Sequence, residues 1–585
     1  MHQRNFARVG PMRAKVFFYV CAAIAAFLVA RLYAVQVVHG PVLAREALAQ
    51  RSDTVEVFAR RGSILDRDGA VLVRSLPSQS VYVVPHDLGN VDITVAKLQE
   101  IFGKIDPAVV AAMHDRRLWF VWVQRKVSHD VAVRVRALGL PGVQLKQEDT
   151  GQRFDAVGDL ASTLLGFVGT DENGLDGLEY EYDDLLKGHS GRVTMETDEL
   201  GRPIPFGRET VVEPAKPGLN LQLTLDSYLQ YVTEEALDEQ VKKYHALDGT
   251  AIVMNPWNGE ILAMANEPHF DPNHFWRYPD SARRDRAVMD AYEPGSTFKL
   301  LTAAAALESG KVTTSMRFPA RDTLEVGGNV IHNAEDGFMA GSGGSETLEQ
   351  IIEYSHNVGA AEVGMSIGSK TFYDMERKAG LGLPTQVDLP GENPGIVPPP
   401  SDWSDSSLAT MSFGQGVSIT PVALTRFYCA IANGGVLMRP RILRAIQDDG
   451  GVTIYQYPPE IERRVFSQRT AATLQKFLRT VVVSGTGNPT AQIPGYATAG
   501  KTGTAQMVVD GRYQPGAYAA SFIGMIPAVH PRYVIYVKIE RPVGAYYGGV
   551  VAAPAFTRIA RAAMLHAGIL PQSTPAPSSK RVVKQ

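Results

Sequence analysis

The longest apolar run in the chain, Val16 to Val38, is nearly unbroken. At about 1.5 Å rise per residue, a helix of that length crosses one bilayer. Arg4, Arg8, Arg13 and Lys15 precede it with no acidic residue among them, a bias that keeps an N-terminus in the cytoplasm. Arg31 lies near the outer end, where a long side chain reaches the headgroups. No small-x-small cleavage site follows directly, and the core is long for a signal peptide. Cys21 follows aromatic rather than small residues, so it makes a poor lipid-attachment site. The pattern predicts a cytoplasmic tail over 1–15 and an uncleaved span over 16–38 in the cytoplasmic membrane. Everything after about His39 then lies outside, in the periplasm or its equivalent.

Beyond the span the periodicity changes. Residues 39 to about 70 read as an amphipathic connector followed by a charged segment, Arg60 to Gly69, in which Asp68-Gly69 signals a hairpin. Ser80 to Pro85 reads as another strand. From about 90 to 215 strand-like and helical patches mix, with turn signals at Glu172-Asn173-Gly174 and Asp176-Gly177 and no catalytic constellation. Glu213 to Gly218 marks a boundary. After it come a strand (Leu221–Leu225), a helix capped by Asp226, and two strands (Ala251–Met254 and Glu260–Ala265) joined by Asn255-Pro256-Trp257-Asn258-Gly259. Strands near 497–509, 518–526 and 533–540 precede a helix from Ala553 to His566. Strands at both ends of a long, largely helical middle predict an α+β fold, an antiparallel sheet covered by helices. The tail from Pro571 is rich in Pro, Ser, Lys and Arg, a composition of disorder.

Composition narrows this reading only a little. The 585 residues carry a net charge of -3, with 45% hydrophobic and 20% charged residues. A nucleic-acid partner calls for a basic face that such a charge does not support. Cys21 and Cys429 are the two cysteines, and their separate settings make a disulfide implausible.

Three short motifs carry chemistry. Ser296-Thr297-Phe298-Lys299 follows Pro294-Gly295 and opens an alanine-rich helix ending at Gly310. At i and i+3 the serine hydroxyl and the lysine amine share one helix face. A serine needs a base, and a lysine serves if burial and a cationic neighbour lower its pKa. Ser355-His356-Asn357 sits between two predicted helices, the first capped by Thr347 with Gln350. Its hydroxyl can relay a proton to a leaving amine, and its amide can hold a substrate backbone. Lys501-Thr502-Gly503-Thr504 continues a strand. There Gly503 lets a peptide approach and bind as an added strand. Lys501 supplies positive charge beside Lys299, and Thr502 bonds a carboxylate. Each motif alone is ordinary. His332 and His356 are isolated and read as structural or solvent-facing rather than as metal ligands.

Together, the order and settings of the three motifs resemble Ser-x-x-Lys, Ser-x-Asn and Lys-Thr-Gly of the penicillin-binding proteins and serine β-lactamases. Tyr292 to Lys299, Ala499 to Gln506 and Tyr547 to Pro554 resemble class B penicillin-binding proteins in particular. Arg61 to Arg67 resembles the motif of their pedestal domain. In that domain's later motif Arg153 and Gly158 fit, but Asp155-Ala156 stands where Tyr-Pro is usual. The resemblance implies an elongated mixed pedestal (dimerisation-type) domain over 39–215, a transpeptidase domain over 216–570 and a tail over 571–585. It also implies that Ser296 attacks a D-Ala-D-Ala stem peptide with Lys299 as base. The N–H groups of Ser296 and Thr504 form the oxyanion hole. Ser355 and Lys501 pass the proton to the departing D-alanine, and Asn357 orients the peptide. Thr502, Gly503 and Thr504 bind substrate, and no metal or cofactor is needed. A neighbouring stem peptide's amine completes the cross-link, and β-lactams trap Ser296.

Rival readings fit less well. A β-lactamase of class A has a Glu-x-x-x-Asn motif. Glu353 to Asn357 has that spacing but overlaps the second motif, so Glu353 is assigned no catalytic role. A D,D-carboxypeptidase differs only in the acceptor. A dead scaffold has no need of Ser296, Lys299 and Lys501, and a β-lactam sensor calls for a larger cytoplasmic or multi-span signalling part than the short segment before the span. The short first segment, the length and Lys-Thr-Gly-Thr-Ala-Gln resemble the septal, division-specific members more than the elongation-specific ones. Membership implies a polytopic SEDS-type glycosyltransferase and other division proteins as partners.

Overall fold

The computed structural model describes residues 10–148, 150–197, 209–334, 344–509 and 511–572. The tail expected to be disordered falls outside them from residue 573 onward, as do residues 1–9. By contact the described residues form two units, one drawn from Met1–Ala59 and His189–Pro217, the other from Arg60–Gly188 and Gly218–Gln585.

The first unit begins with a helix, Pro11–Tyr33, that continues through a π-helical stretch, Ala34–Val38. Pro11 at the first turn fits there because its missing N–H has no intrahelical partner to lose. Pro11–Val38 is the one helix among the described residues long and apolar enough to cross a membrane, and none of the tested window is buried. A second helix, Gly40–Arg51, follows, but its apolar residues do not gather on one face, so the connector is not amphipathic. Ser52–Val57 then pairs with Gly191–Glu196, which pairs with Glu209–Glu213, in an antiparallel sheet.

In the second unit a five-stranded sheet holds the centre. Its strands are β1 (Asp248–Met254), β2 (Ile261–Glu267), β3 (Ala499–Val509), β4 (Arg512–Ile526) and β5 (Tyr533–Glu540), in the order β2-β1-β5-β4-β3. Every pairing is antiparallel, which leaves β3 at an edge. Period-2 alternation sends neighbours to opposite faces. Ala251 and Val253 join a core with α1 (Ser227–Lys243) and α7 (Ala553–His566). Ile252 and Met254 join a larger one with α2 (Lys299–Glu308), α3 (Leu348–Glu353), α4 (Asn357–Ile367), α5 (Pro421–Ala432) and α6 (Gln468–Val483). The predicted caps form: Asp226 accepts from Leu229 N–H, and Thr347 with Gln350 makes the capping box of α3. Cys21 and Cys429 are both free thiols.

The same unit carries a six-stranded sheet that includes Ile64–Leu65, Val71–Leu76 and Gln152–Asp155 together with Asn220–Leu223, Leu443–Gln447 and Thr453–Gln456. This sheet runs across the sequence boundary near Glu213 to Gly218. The Asp68-Gly69 turn closes the predicted hairpin, and Asp66 accepts from the N–H groups of Asp68 and Ala70 and from Ser227 Oγ. Buried Glu179 lies between two arginines. Its Oε2 accepts from Arg61 at 2.6 and 2.8 Å, and its Oε1 from Arg153 Nε at 2.6 Å. Gln79–Val83 is the middle strand of a separate small sheet with its own core of Val81, Val83, Leu98 and Met113.

Candidate active site

Ser296 stands in one turn of 3-10 helix, Gly295–Phe298, that leads into α2. The predicted helix therefore starts with a tighter turn than an α-helix. Gly295 has φ 54°, a left-handed conformation that favours glycine, and its N–H donates to Gly414 O at 3.1 Å. Tyr428 Oη donates to Thr297 O at 2.8 Å, which ties the turn to α5. The helix behind it is buried along Lys299 to Ala306, so its position is set by the core.

Lys299 Nζ is fully buried and has four oxygen neighbours. They are Ser296 Oγ at 3.0 Å, Ser355 O at 2.5 Å, Ser355 Oγ at 3.2 Å and Asn357 Oδ1 at 2.7 Å. Burial, and then the charge of Lys501, push its pKa well below the ordinary lysine value. A neutral amine has two N–H donors and one lone pair. Ser355 O and Asn357 Oδ1 accept only, so they take the two N–H groups. The lone pair is left for a hydroxyl proton from Ser296 or Ser355.

Ser355 lies in the turn between α3 and α4 with φ 62°. That left-handed residue is uncommon for a non-glycine and aims its carbonyl at Lys299. The Asn357 amide is engaged at both ends, since Nδ2 donates to His332 O at 2.9 Å. The side chain expected to orient a peptide is thus first a support for Lys299. Asn333, which the sequence did not flag, caps α4 by accepting from Asn357 N and Val358 N. His356 is not isolated: its Nδ1 lies 2.5 Å from Glu346 Oε2 in a buried pair. His332 is exposed on a short hairpin. Among the described residues no cluster of His, Cys, Asp and Glu could hold a metal ion.

Lys501, on β3, is also fully buried, and burial brings its pKa down to about 7. Its Nζ donates to Thr502 O at 3.2 Å. Thr502 Oγ1 lies 2.8 Å from Thr486 Oγ1, and Thr504 Oγ1 accepts from Gly548 N. Thr486 follows α6, and its N–H donates to Glu353 O; Glu353 Oε1 accepts from Ser484 Oγ at 2.5 Å. Glu353 therefore holds the segment that carries Thr486 beside Thr502. Glu293, another residue the sequence left without a role, accepts from Gly416 N and from Tyr513 Oη on β4. Past Thr504 the edge of β3, Ala505 to Val508, walls a cavity of about 570 Å³ with Tyr292, Glu293 and Gly416 opposite.

The arrangement is a serine whose hydroxyl faces a buried amine of depressed pKa, beside a strand edge and a second lysine. Residues 249–561 match the family model of the penicillin binding protein transpeptidase domain, and residues 56–223 match that of the penicillin-binding protein dimerisation domain. The chain is a class B penicillin-binding protein. Its relatives include stage V sporulation protein D of Bacillus subtilis (strain 168), 35% identical over 569 residues, which spans 96% of this chain and 87% of that one. Peptidoglycan D,D-transpeptidase FtsI of Escherichia coli (strain K12) is 32% identical over 544 residues, 91% of this chain and 88% of that one. Among solved structures, penicillin binding protein 3 from Mycobacterium tuberculosis, complexed with aztreonam, superposes with a TM-score of 0.68 at 30% identity, covering 89% of this chain and 99% of that one. The transpeptidase domain is that of a serine acyltransferase family. The exposed N-terminal helix fits a single-pass membrane protein with its catalytic domain outside the cytoplasm.

In this penicillin-binding protein Gly503 also has a use beyond the one its strand position suggests. A Cβ there would lie 2.3 Å from Ser521 Oγ and 2.9 Å from Thr297 Cγ2. The missing side chain lets β3 close onto the Ser296 turn, rather than only opening the edge to substrate. Gly503→Ala is expected to cost about 1–3 kcal/mol by overpacking and to slow acylation by displacing β3. Thermal unfolding and the rate of penicillin acylation check this, and wild-type values for both would refute it.

Proposed function

We propose that the chain is a peptidoglycan D,D-transpeptidase that cross-links stem peptides through an acyl-enzyme on Ser296. The observation that carries this reading is the Lys299 amine, buried and depressed in pKa, 3.0 Å from Ser296 Oγ. Ser296 Oγ attacks the carbonyl of the penultimate D-alanine, and its proton passes to Lys299. The C–O bond forms as the C–N bond to the terminal D-alanine breaks. Ser355 and Lys501 return a proton to the departing amine. The N–H groups of Ser296 and Thr504 carry the developing oxyanion. Thr502 and Thr504 hold the terminal carboxylate, Gly503 keeps β3 against the nucleophile, and Asn357 fixes Lys299 and borders the peptide. A second stem peptide's amine then attacks the ester, forming the cross-link and freeing Ser296. β-Lactams present the same carbonyl and acylate Ser296.

On this reading 39–215 form the pedestal and 216–570 the transpeptidase domain, with residues 1–15 cytoplasmic and the span over 16–38. The enzyme works at the division septum with a polytopic SEDS-type glycosyltransferase and other division proteins. The sequence likeness to septal members supports this role over elongation. Imaging a labelled copy tests it: bands at mid-cell are expected, and dispersed lateral spots would assign the chain to elongation.

The chemistry is tested by supplying the full chain with uncross-linked glycan strands and following D-alanine release and cross-linked products. Both are expected, and both stop with penicillin. D-Alanine release without cross-links would mean a carboxypeptidase, and rapid penicillin hydrolysis would mean a β-lactamase. The pH profile has a defined sign. Lys299 serves as base only when neutral, so activity rises as pH climbs through a pKa well below the lysine norm. Lys501 loses its charge as pH rises through about 7, so binding of a substrate carboxylate weakens on the alkaline side. The alkaline limb of the acylation profile is expected to move up in Lys501→Arg; a limb that stays in place would exclude Lys501 as its source.

A further inference from the structure

The residues on either side of His356 hold Lys299, through Ser355 O and Asn357 Oδ1. His356 itself has another partner. Its Nδ1 lies 2.5 Å from Glu346 Oε2, and the two side chains are 7% and 4% exposed. A carboxylate kept that far from water is costly unless charge and hydrogen bonds offset the burial. The Ser-x-Asn motif leaves its middle residue open, so this pair is a feature of the chain rather than of the motif.

The path of the backbone gives the contact a use. Glu346 stands opposite Phe318 in a two-stranded ladder of Arg317–Pro319 with Ser345–Thr347. The next residue, Thr347, caps α3, and α3 leads directly to the Ser355 turn. The bond from Glu346 to His356 therefore closes a ring of chain around α3 and ties the turn at its end to the strand before its start. The second carboxylate oxygen lies against the first turn of α4. A Cβ on Gly359 would come within 2.4 Å of Glu346 Oε1, so the glycine leaves room for it. A helix start also favours negative charge. Ser355, between these supports, holds φ 62°, a conformation that a non-glycine residue keeps only where its surroundings fix it.

The carboxylate also acts on Lys299 without touching it. Burial and then Lys501 lower the Lys299 pKa, and Glu346 works against both by raising it. The other charged groups around Glu346 are Glu362 on α4 and Arg321, whose side chains approach to 3.9 Å. Burial raises the Glu362 carboxyl, Arg321 lowers it, and Glu346 raises it further. Tyr354 stacks on the His356 ring at 5.9 Å.

We propose that Glu346 is a positioning residue for acylation: through His356 it holds the turn that presents Ser355 O and Asn357 Oδ1 to Lys299, and its charge adds to the field at that amine. The proposal rests on Lys299 being the base, as in the function proposed above.

The test measures the second-order rate of penicillin acylation across pH, on the full chain in detergent micelles, with thermal unfolding to show that each variant is folded. Glu346→Gln keeps both an acceptor and a donor for His356 Nδ1 and removes the charge. Lys299 then gives up its proton more readily. The acid limb, where the rate rises with pH, is expected to move down by about 0.5–1 pH unit, less than the effect of a charge in direct contact. A purely structural loss would lower the rate and leave the limb in place. His356→Ala cuts the tie and is expected to slow the plateau rate about ten- to a hundred-fold, as misplacement of a reacting group does. His356→Asn, whose amide can take the place of Nδ1, is expected to restore the rate to within about three-fold of wild type, a small residual misplacement. If His356→Ala does not fold, the limb in Glu346→Gln decides alone. A limb that stays in place or moves up in folded Glu346→Gln would overturn the proposal, as would a wild-type plateau in His356→Ala. Wild-type protein that acylates with no acid limb would remove Lys299 as the base, and this proposal with it. A wild-type limb that Glu346→Gln leaves unmoved removes this proposal alone.

Discussion

With Lys299 replaced by methionine, acylation by a penicillin is expected to fall by about 10²–10⁴-fold, the usual contribution of a positioned general base. The protein should stay folded. Lys299 is fully buried, and burial and then the charge of Lys501 push its pKa well below the ordinary lysine value, so the site favours an uncharged side chain. Methionine is unbranched, similar in length and apolar, so it fills the same space without burying a charge. What it lacks is the lone pair facing Ser296 Oγ at 3.0 Å. Ser355 O and Asn357 Oδ1 lose a donor, which costs some stability, but α2 is fixed by its own buried apolar residues. The second-order acylation rate and the thermal midpoint are to be measured together. Acylation within ten-fold of wild type would exclude Lys299 as the base.

The other large effect is far from the chemistry. Glu179→Gln is expected to destabilise the protein by about 3–5 kcal/mol, the cost of removing one partner from a buried ion pair. The Glu179 side chain is 1% exposed and contacts Arg61 at 2.6 Å and Arg153 at 2.6 Å. Asp183, 2.6 Å from Arg61 Nη1, is the remaining carboxylate on that arginine, and Arg153 keeps only neutral partners at Gly62 O and Ser75 Oγ. The glutamine would leave two guanidinium groups sharing too little negative charge in a place water does not reach. Urea denaturation followed by tryptophan fluorescence measures the loss, and a change below about 1 kcal/mol would mean the arginines find other partners.

How much of this was legible in the sequence depended on whether a signal was local. Ala251–Met254 and its partner strand were marked by the turn signal Asn255 to Gly259 between them, and Asp226 and the Thr347–Gln350 box cap their helices as local rules require. The apolar span was read from length alone, and the helix continues at its start to Pro11 because Arg13 and Lys15 fit a first turn as well as a loop. The three motifs were found because each is contiguous. What joins them was not readable. Nothing in Ser355-His356-Asn357 announces the left-handed φ that points the Ser355 carbonyl at Lys299. Asn333 caps α4 from 24 residues away, and Glu353 reaches Ser484 across 131. Likewise Arg61 and Arg153 were visible as motif residues, whereas their common partner Glu179 lies in a stretch without distinctive pattern. Gly503 was read from its strand position, and the further constraint from Ser521 Oγ and the Thr297 methyl, which leave no room for a Cβ, is one that only the packing reveals.

The measurement that tests the central claim most directly is the mass of the full chain after incubation with a penicillin, followed by proteolytic mapping of any adduct. Ser296→Ala runs alongside. The account predicts one lasting adduct of drug mass, on the peptide that carries Ser296, and none on the variant. An adduct on another residue, an unchanged adduct on Ser296→Ala, or no adduct on wild-type protein shown to be folded would contradict it.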